Sequence, residues 1–294
     1  MAPAVSIILL TKNAGRRFED VLTGIEIQEF DDEVEIVVID SGSTDGTLHR
    51  AREFGCEIYE IDPDEFHHSR TRNYGARHAD GDVLVYLTHD AVPMTESWLA
   101  SLVEPVSADD AAVAYGRQVA FPEAKPMEKF FYSYFYPDED RVLTAEDAED
   151  PRRFYLENVF VSDVSAAIDH TVWQQYQFRD TVPMSEDKDF ALRVLRDENK
   201  IMYEPSAAVH HSHDYSIRSQ FRRRYRDGRA YARIADRGTE TFVSEGFEYV
   251  LNEIRFLLTN GHAHWLPYAL LYDLAHFLGF ESGKRFGRYR SGIL

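Results

Sequence analysis

The residues around position 90 have the types and the spacing expected of a ligand-binding strand end. Residues 83–87, Val-Leu-Val-Tyr-Leu, are continuously apolar, and the polar side chains of Thr88, His89 and Asp90 follow directly. An apolar run of this length predicts a strand that is buried on both faces. Because ligands bind at the carboxyl ends of strands in open α/β sheets, Asp90 is a candidate metal-binding or phosphate-handling carboxylate.

A second carboxylate, Asp40, ends another apolar run and precedes the turn Ser-Gly-Ser-Thr-Asp-Gly at residues 41–46. Such a turn before a helix offers backbone N–H groups to an anion, and the carboxylate can accept hydrogen bonds from a ribose hydroxyl or a base N–H. An ordinary strand-to-helix turn with good capping residues explains the pattern equally well. The turn lacks the G-x-G-x-x-G fingerprint of a dinucleotide site.

Alternating strands and helices position these carboxylates. Apolar runs predict strands at residues 5–10, 35–39, 57–61, 83–88 and 113–119. Helical spacing predicts helices at residues 17–28, 47–54, 70–78, 97–103 and 186–198. The short strand–helix–strand connections predict an α/β fold with a mostly parallel, doubly wound sheet.

The second half of the chain is predicted with less regular elements. The aromatic, acidic and proline-containing residues 122–148 predict a long loop or lid with one amphipathic turn, and residues 159–168 return to the core. Residues 201–204 predict an edge strand that Pro205 ends. From Ser216 the pattern is helical, with breaks near Gly238, Gly261 and Pro267. We therefore expect a catalytic domain at residues 1–215 and a helical C-terminal extension at residues 216–294.

Composition bounds the class of protein. The 294 residues are 44% hydrophobic, which predicts a folded chain with a sizeable core. No run reaches the roughly 18 apolar residues of a transmembrane helix, and the N-terminus lacks the basic region of a signal peptide. The single cysteine, Cys56, excludes an internal disulfide and fits a reducing cytoplasm. The sequence therefore predicts a cytoplasmic protein.

The net charge of −19 argues against nucleic acid as a partner, since binding it requires a basic surface. Only 6 of the 32 basic residues are lysine, and acid-rich, lysine-poor surfaces suit solubility at high salt. We interpret this balance as that of a halophilic protein. An ordinary acidic cytoplasmic protein is the alternative.

Five motifs occur in order along the chain. They are Thr-Lys-Asn at residues 11–13, Asp-Ser-Gly-Ser-Thr-Asp at 40–45, Arg-Asn-Tyr-Gly at 72–75 with Ala-Asp-Gly-Asp at 79–82, Leu-Thr-His-Asp-Ala-Val-Pro at 87–93, and Ser-Glu-Asp-Lys-Asp at 185–189. Together they resemble the family 2 glycosyltransferases of the rhamnosyltransferase-like branch, over about residues 4–215. The resemblance implies the Rossmann-like GT-A fold, a nucleoside diphosphate sugar donor and an inverting transfer.

The resemblance assigns roles on the donor side. It implies that Asn13 and Asp40 hold the nucleoside, and we expect the adjacent Thr11 and Ser41 to take part. Arg72 is expected to face the diphosphate; a surface arginine paired with Asp82 is the alternative.

The resemblance also implies a divalent cation, Mn²⁺ or Mg²⁺. Asp90 matches the last acid of the family's D-x-D metal motif, but Thr88 replaces the first aspartate. Thr88 and His89 are expected among the residues that bind the donor, with His89 a neighbour of the cation and not its ligand. One carboxylate binds a hard cation weakly. His211 and His213 face one side of an extended segment and are candidate ligands. Imidazole favours Mn²⁺, whereas a surface histidine cluster that only hydrogen-bonds is the alternative.

For catalysis, Asp187 is the candidate general base that takes the proton of the acceptor hydroxyl. Glu186 is expected to assist by orienting the acceptor or Asp187. The alternative is that residues 185–187 only cap the helix that follows.

Two C-terminal stretches have two interpretations each. The predicted helix at residues 221–233 is rich in arginine, and positions 222, 226, 229 and 233 lie on one face of it. These arginines are suited to bind a lipid phosphate, the donor diphosphate or an anionic membrane. The alternative is that they pair with the protein's own acidic residues. Residues 265–280 are apolar and aromatic, so they either lie in a membrane interface as a peripheral contact or pack on the catalytic domain or on a second subunit of a homodimer.

These observations predict an inverting, metal-dependent glycosyltransferase. The donor is expected to be dTDP-rhamnose or a UDP-hexose, and the acceptor a hydroxyl of a lipid-linked or polymeric glycan. Two rivals remain. A sugar nucleotidyltransferase requires a Gly-rich basic loop after the first strand, which residues 11–15 do not supply. A catalytically silent nucleotide-sugar-binding protein is kept open by Thr88.

Overall fold

The structure, a computed structural model, describes residues 4–151, 153–154, 161–182, 184–234 and 243–289. The strands are β1 (Val5–Thr11), β2 (Val34–Asp40), β3 (Glu57–Glu60), β4 (Val83–Thr88), β5 (Val92–Pro93), β6 (Val113–Val119), β7 (Arg141–Leu143), β8 (Ser165–Asp169) and β9 (Ile201–His210). The helices are α1 (Arg17–Glu26), α2 (Thr47–Glu53), α3 (His68–Ala76), α4 (Trp98–Ser107), α5 (Pro126–Phe135), α6 (His170–Tyr176), α7 (Glu186–Arg196), α8 (Ile217–Ile234), α9 (Val243–Thr259) and α10 (Leu266–Tyr289).

One sheet joins all these strands in the order β3-β2-β1-β4-β8-β6-β9-β5, and β7 pairs with β9. The first four are parallel, with Val5 opposite both Val34 and Val83. β8 runs antiparallel between β4 and β6, while β6 and β9 are parallel. The predicted α/β fold with a mostly parallel sheet is confirmed.

The core lies on both faces of this sheet because alternate residues of each strand point to opposite sides. Ile7 and Val85 pack on one face with α1 and α4, where Phe18 and Trp98 are fully buried. The intervening residues of the same strands pack on the other face, together with α7. This two-sided burial holds the carboxyl ends of β1 and β4 rigidly, which fixes the positions of the polar residues that follow them.

The predicted end of β9 at Pro205 is wrong, because the strand continues to His210. Its ladder with β6 shifts register between Gly116 and Gln118, which leaves Pro205 at an irregularity. A proline lacks the N–H that a regular ladder requires, so a bulge tolerates it. The longer strand therefore ends directly before His211. β9 lies between β6 and β5, so it is an interior strand and not the predicted edge strand.

The predicted loop or lid at residues 122–148 is also wrong. Residues 126–135 form α5, residues 141–143 form β7, and a short 3-10 helix, Ala145–Ala148, follows. Pro126 occupies the first turn of α5, where its missing N–H costs nothing. Burial of Phe130 and Tyr132 stabilises the helix despite the weak helix propensity of aromatic residues.

The C-terminal helices are held together by close backbone contact. A Cβ on Gly279 would meet the carbonyl oxygen of Phe221, and one on Gly283 would meet that of Tyr225, so α8 and α10 run in the same direction at close range. Gly261 follows the end of α9 and has a left-handed φ of 76°, and α10 begins at Leu266. Both positions agree with the breaks predicted near Gly261 and Pro267. The break near Gly238 lies outside the described residues.

The C-terminal residues 265–280 contact the rest of the chain at Glu128, whose Oε1 accepts from the Tyr272 hydroxyl at 2.5 Å. Packing on the catalytic half, one of the two interpretations, is therefore realised for this helix. In the part of the chain that the structure describes, no helix is long and apolar enough to cross a membrane.

Candidate active site

A cleft of about 1570 Å³ opens where the strands end and α8, α9 and α10 face the sheet. Its wall includes Thr11 at the end of β1, Asp90 after β4 and His211 after β9. Asp187, at the start of α7, lines the same cleft. These predicted residues thus converge from four separate segments, whereas the predicted nucleoside residues Asn13 and Asp40 do not line the cleft.

Asp40 differs from its expected role as an open nucleoside acceptor. It is fully buried, and its oxygens accept from Thr11 Oγ1 at 2.8 Å, from the backbone N–H groups of Gly42 (2.9 Å) and Ser43 (2.7 Å), and from Ser43 Oγ at 2.5 Å. Four bonds occupy the lone pairs of the carboxylate. In this conformation Asp40 orders the turn after β2, and a direct nucleoside contact stays a prediction.

Asn13 joins the turns after β1 and β2. Its Oδ1 accepts from Thr44 N at 2.8 Å, and its own N–H donates to Ser43 Oγ at 2.7 Å. Ser41 adds a bond from its N–H to the carbonyl of Thr11 at 3.0 Å. Thr11 and Ser41 both line the cleft although little of each is exposed, so the joined turns form the floor of its donor end.

Asp90, His211 and His213 lie together. One Asp90 oxygen is 3.8 Å from His211 Nε2 and the other is 3.8 Å from His213 Nδ1. One ligand atom from each residue lies within 4.8 Å of the others. The expectation that His211 and His213 face one side is met, and the three side chains present an oxygen and two imidazole nitrogens to a single point.

Gln118 sets the protonation of His211. The Gln118 Oε1 lies 2.8 Å from His211 Nδ1, and Gln118 Nε2 donates to the Tyr136 hydroxyl at 2.6 Å. Because an amide oxygen only accepts, His211 carries its proton on Nδ1 and turns a lone pair on Nε2 toward Asp90. A hydrogen bond of this kind orients an imidazole for metal binding.

The charge states of this group suit a cation. Burial lowers the pKa of His211 to about 3 and lowers that of His213, so both rings are neutral. Burial raises the pKa of Asp90, yet the net shift is downward, so this carboxylate is ionised beside two neutral rings. A carboxylate with two neutral imidazoles is a donor set that Mn²⁺ and related divalent cations accept. The side chains present therefore fit such an ion.

Thr88 and His89 lie beside Asp90 and line the cleft. The ring nitrogen Nδ1 of His89 is 3.1 Å from the carbonyl oxygen of Leu10, so this histidine ties the end of β4 to the end of β1. As predicted, His89 is a neighbour of the metal-ligand cluster and not a member of it.

Arg72 faces the cleft from α3 and is held by two acids. Its Nε lies 3.1 Å from Asp163 Oδ2, and its Nη1 pairs with Glu186 Oε1. The alternative of a surface arginine paired with Asp82 is wrong, because the guanidinium is largely buried between these carboxylates. The pairing places Arg72 beside the N-terminus of α7, next to Asp187.

Asp187 lies in the first turn of α7. Ser185, directly before the helix, has a left-handed φ of 61°. Burial, followed by the nearby charge of Glu186, raises the pKa of Asp187 above the usual range. A base with a raised pKa is the stronger proton acceptor once it is ionised. Glu186 is buried against Arg72, so it acts on Asp187 through its charge and the position of α7.

The arginines of α8 divide between two faces. Arg223 and Arg224 line the cleft and pair with Asp227, at 3.5 Å (Arg223 Nε to Oδ1) and 3.0 Å (Arg224 Nη1 to Oδ2). The residues at 222 and 226, which the helical spacing placed on one functional face, are exposed on the outside. The face that meets the cleft carries residues 220, 223, 224 and 227.

Two residues of the site escaped the sequence reasoning. Asp163 precedes β8 in the stretch Val-Ser-Asp-Val and is buried. The sequence signal for it is an acidic residue inside a segment predicted to return to the core, where a charge requires a partner. Gln118 lies inside β6, where an alternating strand pattern gives no indication of a partner across the sheet. Both act through contacts between residues far apart in sequence.

The fold and this cleft define a GT-A glycosyltransferase. Solved structures with the same fold include the mannosyltransferase PcManGT from Pyrobaculum calidifontis in complex with GDP-Man and Mn²⁺, at a TM-score of 0.65 and 17% identity, covering 99% of this chain and 88% of that one. S. aureus TarS 1–349 in complex with UDP-GlcNAc aligns at a TM-score of 0.58 and 14% identity, covering 99% and 92%.

The sequence comparison fixes the family. Residues 6–163 match Glycosyl transferase family 2, and the chain belongs to that family. It is 32% identical over 285 residues to O-antigen chain rhamnosyltransferase RfbN of Salmonella typhimurium, covering 95% of this chain and 89% of the relative. It is 31% identical to O-antigen chain rhamnosyltransferase WbaN of Salmonella anatum, covering 96% and 90%. The predicted family, its rhamnosyltransferase-like branch and the glycosyltransferase activity are confirmed.

Proposed function

We propose that this glycosyltransferase moves a rhamnosyl group from a nucleoside diphosphate donor, dTDP-rhamnose, to a hydroxyl of a lipid-linked or polymeric glycan, with inversion at the anomeric carbon. The carrying observation is the similarity to two O-antigen chain rhamnosyltransferases over nearly the whole chain. A UDP-hexose is the second donor class in the proposal.

The cleft supplies the parts that a single displacement needs. The donor end is formed by the joined turns after β1 and β2, and Arg72, held between Asp163 and Glu186, lines the same cleft. Asp187 takes the proton of the acceptor hydroxyl as that oxygen attacks the anomeric carbon, and Glu186 holds Arg72 and raises the basicity of Asp187. Because the two carboxylates have different partners, only Asp187 serves as the base.

Asp90, His211 and His213 are the proposed ligands of a divalent cation. Such an ion neutralises the charge that develops on the departing diphosphate. His89 and Gln118 hold the segments on either side in place. Because Thr88 replaces a carboxylate, the proposed protein ligands are one carboxylate oxygen and two imidazole nitrogens.

Residues 1–215 are proposed as the catalytic domain and 216–294 as an extension that serves the acceptor. In support, α8 and α10 contribute to the cleft wall opposite the sheet. A cytoplasmic location at the membrane face, peripheral membrane contact, a homodimer and the absence of a nucleic-acid partner remain predictions.

A transfer assay tests the proposed function. Purified protein is incubated with dTDP-rhamnose, UDP-glucose, UDP-galactose or GDP-mannose and a panel of glycan acceptors, with Mn²⁺, Mg²⁺ or EDTA. We expect dTDP-rhamnose to be consumed in the presence of metal, with an inverted product linkage by NMR.

Other outcomes discriminate the rivals. Formation of a nucleotide sugar from a nucleoside triphosphate and a sugar phosphate identifies a nucleotidyltransferase. Absence of turnover with every donor, together with donor binding, identifies a silent binding protein. Preferential use of a UDP-hexose replaces the donor but keeps the mechanism.

A further inference from the structure

The cleft continues beyond the catalytic residues into an apolar arm. We define the arm by Phe247 and Val250 of α9, Leu270, Leu274 and Phe277 of α10, and Phe135 of α5, all of which line the cleft. Phe247 is 65% exposed, and Leu274 is 51% exposed. Apolar side chains left open on the wall of a concave site mark a surface that binds an apolar group.

Two arginines of α8, Arg223 and Arg224, line the same cleft as the arm and Asp187. Both pair with Asp227, at 3.5 Å (Arg223 Nε to Oδ1) and 3.0 Å (Arg224 Nη1 to Oδ2). The guanidinium carbon of Arg224 lies 5.6 Å from the ring centroid of Phe131 on α5. Guanidinium groups bind phosphate oxygens well, and two of them around the carboxylate of Asp227 place positive charge at this point of the wall.

The cleft wall also carries acids that are partnered or buried within the protein. Glu128 accepts from the Tyr272 hydroxyl, and burial raises the pKa of Glu128. Burial likewise raises the pKa of Asp273. Arg223 and Arg224, by contrast, share the carboxylate of Asp227.

We propose that the apolar arm binds the hydrocarbon chain of a lipid-phosphate acceptor, with the phosphate at Arg223 and Arg224 and the glycan hydroxyl at Asp187. This proposal rests on the proposed function and deepens it by assigning where the carrier lipid binds. Such an acceptor carries a hydroxyl, a phosphate and a hydrocarbon chain, and the one cleft is lined by a carboxylate, two arginines and apolar side chains that suit these three groups. A purely polymeric glycan matches the aromatic rings but not the leucines of α10.

Binding of alkyl monophosphates tests the arm without any sugar. Isothermal titration uses monomeric alkyl phosphates of about two to about ten carbons, and each methylene that enters the arm is expected to raise the affinity about two- to fourfold. The neutral decyl glucoside is expected to bind more weakly than decyl phosphate. Arg223→Gln is expected to remove that difference and to leave the affinity for decyl glucoside unchanged.

Leu274→Asp is the arm variant, and Leu271→Asp is its matched control. Leu271 lies on the same helix and is 55% exposed, but it does not line the cleft. We expect Leu274→Asp to flatten the chain-length series and Leu271→Asp to keep it, with both variants melting within the same range as the wild type.

The outcomes separate the possible occupants. Affinity that does not depend on chain length overturns the proposal, as does equal loss in the two leucine variants, which indicates an outer surface. Concentration-dependent dimerisation that is abolished by Leu274→Asp assigns the arm to a second copy of the chain and also overturns it. Sugar transfer to a soluble glycan is measured separately. A negative result here therefore overturns only the lipid-binding proposal, and the proposed transferase activity is judged by its own assay.

Discussion

His211 depends on Gln118 for its availability as a ligand, because the amide oxygen fixes the ring proton on Nδ1. The other end of the amide is also held, because Gln118 Nε2 donates to the Tyr136 hydroxyl at 2.6 Å. The proposed metal affinity of the cluster is therefore expected to depend on Gln118, which is not one of the proposed ligands.

Gln118→Leu is expected to weaken Mn²⁺ binding about 10- to 100-fold, since loss of a supporting hydrogen bond costs metal sites that much. Titration calorimetry with Mn²⁺ measures the affinity. Gln175→Leu, at an exposed position of α6, is the control and is expected to bind Mn²⁺ as the wild type does. An unchanged affinity in folded Gln118→Leu protein would mean that His211 is not a ligand.

As the proposed base, Asp187 acts only when ionised, so its raised pKa is expected to limit activity at low pH. As pH falls through that pKa, protonation removes the base and kcat/KM declines; the decline is expected above the ordinary range of aspartate. Glu186→Gln removes a negative neighbour that raises the pKa, so it is expected to move this acid limb to lower pH. The pH–rate profiles of the wild type and of Glu186→Gln test this prediction. An acid limb that does not move between them would belong to a group other than Asp187.

At the scale of elements, the packing of α8 on α10 positions Arg223 and Arg224 over the cleft. Gly283 lies against the carbonyl oxygen of Tyr225, and a side chain there must push the helices apart. The position of the arginines thus depends on a glycine at a helix crossing, far from the chemistry.

Gly283→Ala is expected to lower the free energy of unfolding by about 1–3 kcal/mol through overpacking. Gly246→Ala, in α9, meets no atom within 4 Å and is expected to stabilise by up to about 1 kcal/mol through helix propensity. Urea denaturation compares the two. Equal effects at both positions would show that the α8–α10 contact is not tight in solution.

The sequence predicted the elements that local pattern controls. β1, β2 and β4 have long apolar runs, and their polar ends are the donor and metal sides of the cleft. α5 was missed because its prolines and aromatic residues resemble a loop, and only burial of Phe130 and Tyr132 makes it a helix. β9 was cut short because the irregularity that accommodates Pro205 belongs to the pairing with β6, which a single strand does not reveal.

The site was predictable in the same measure. Asp90, His211, His213 and Asp187 were identified from residue type and order, and the structure brings them to one cleft. Asp163 and Gln118 were missed because each acts by contact with a distant segment. Asp40 was predicted to face a ligand, but its four internal bonds follow from the folded turn.

At the scale of the whole molecule, the acidic charge extends into the cleft. The chain carries a net charge of −19, and the cleft arginines Arg72, Arg223 and Arg224 are each paired with carboxylates. The arginines fix positive charge at two points of an otherwise acidic wall, so attraction of an anionic donor depends on these points and not on the net charge.

The halophilic interpretation is a prediction about this acidic surface. Added KCl screens the mutual repulsion of the carboxylates, so the melting temperature is expected to rise with salt from low to molar concentrations. Differential scanning calorimetry across a KCl series measures it. A melting temperature that falls as KCl is added would favour the ordinary acidic protein.

The transfer reaction of Asp187→Asn protein tests the central claim most directly. Product formed from dTDP-rhamnose and the acceptor is measured with Mn²⁺ for the wild type and the variant, with donor affinity measured in parallel. The variant is expected to bind the donor as the wild type does and to form product about 10²- to 10⁴-fold more slowly, because only the base is lost. Transfer by Asp187→Asn at the wild-type rate would contradict the assignment of the base.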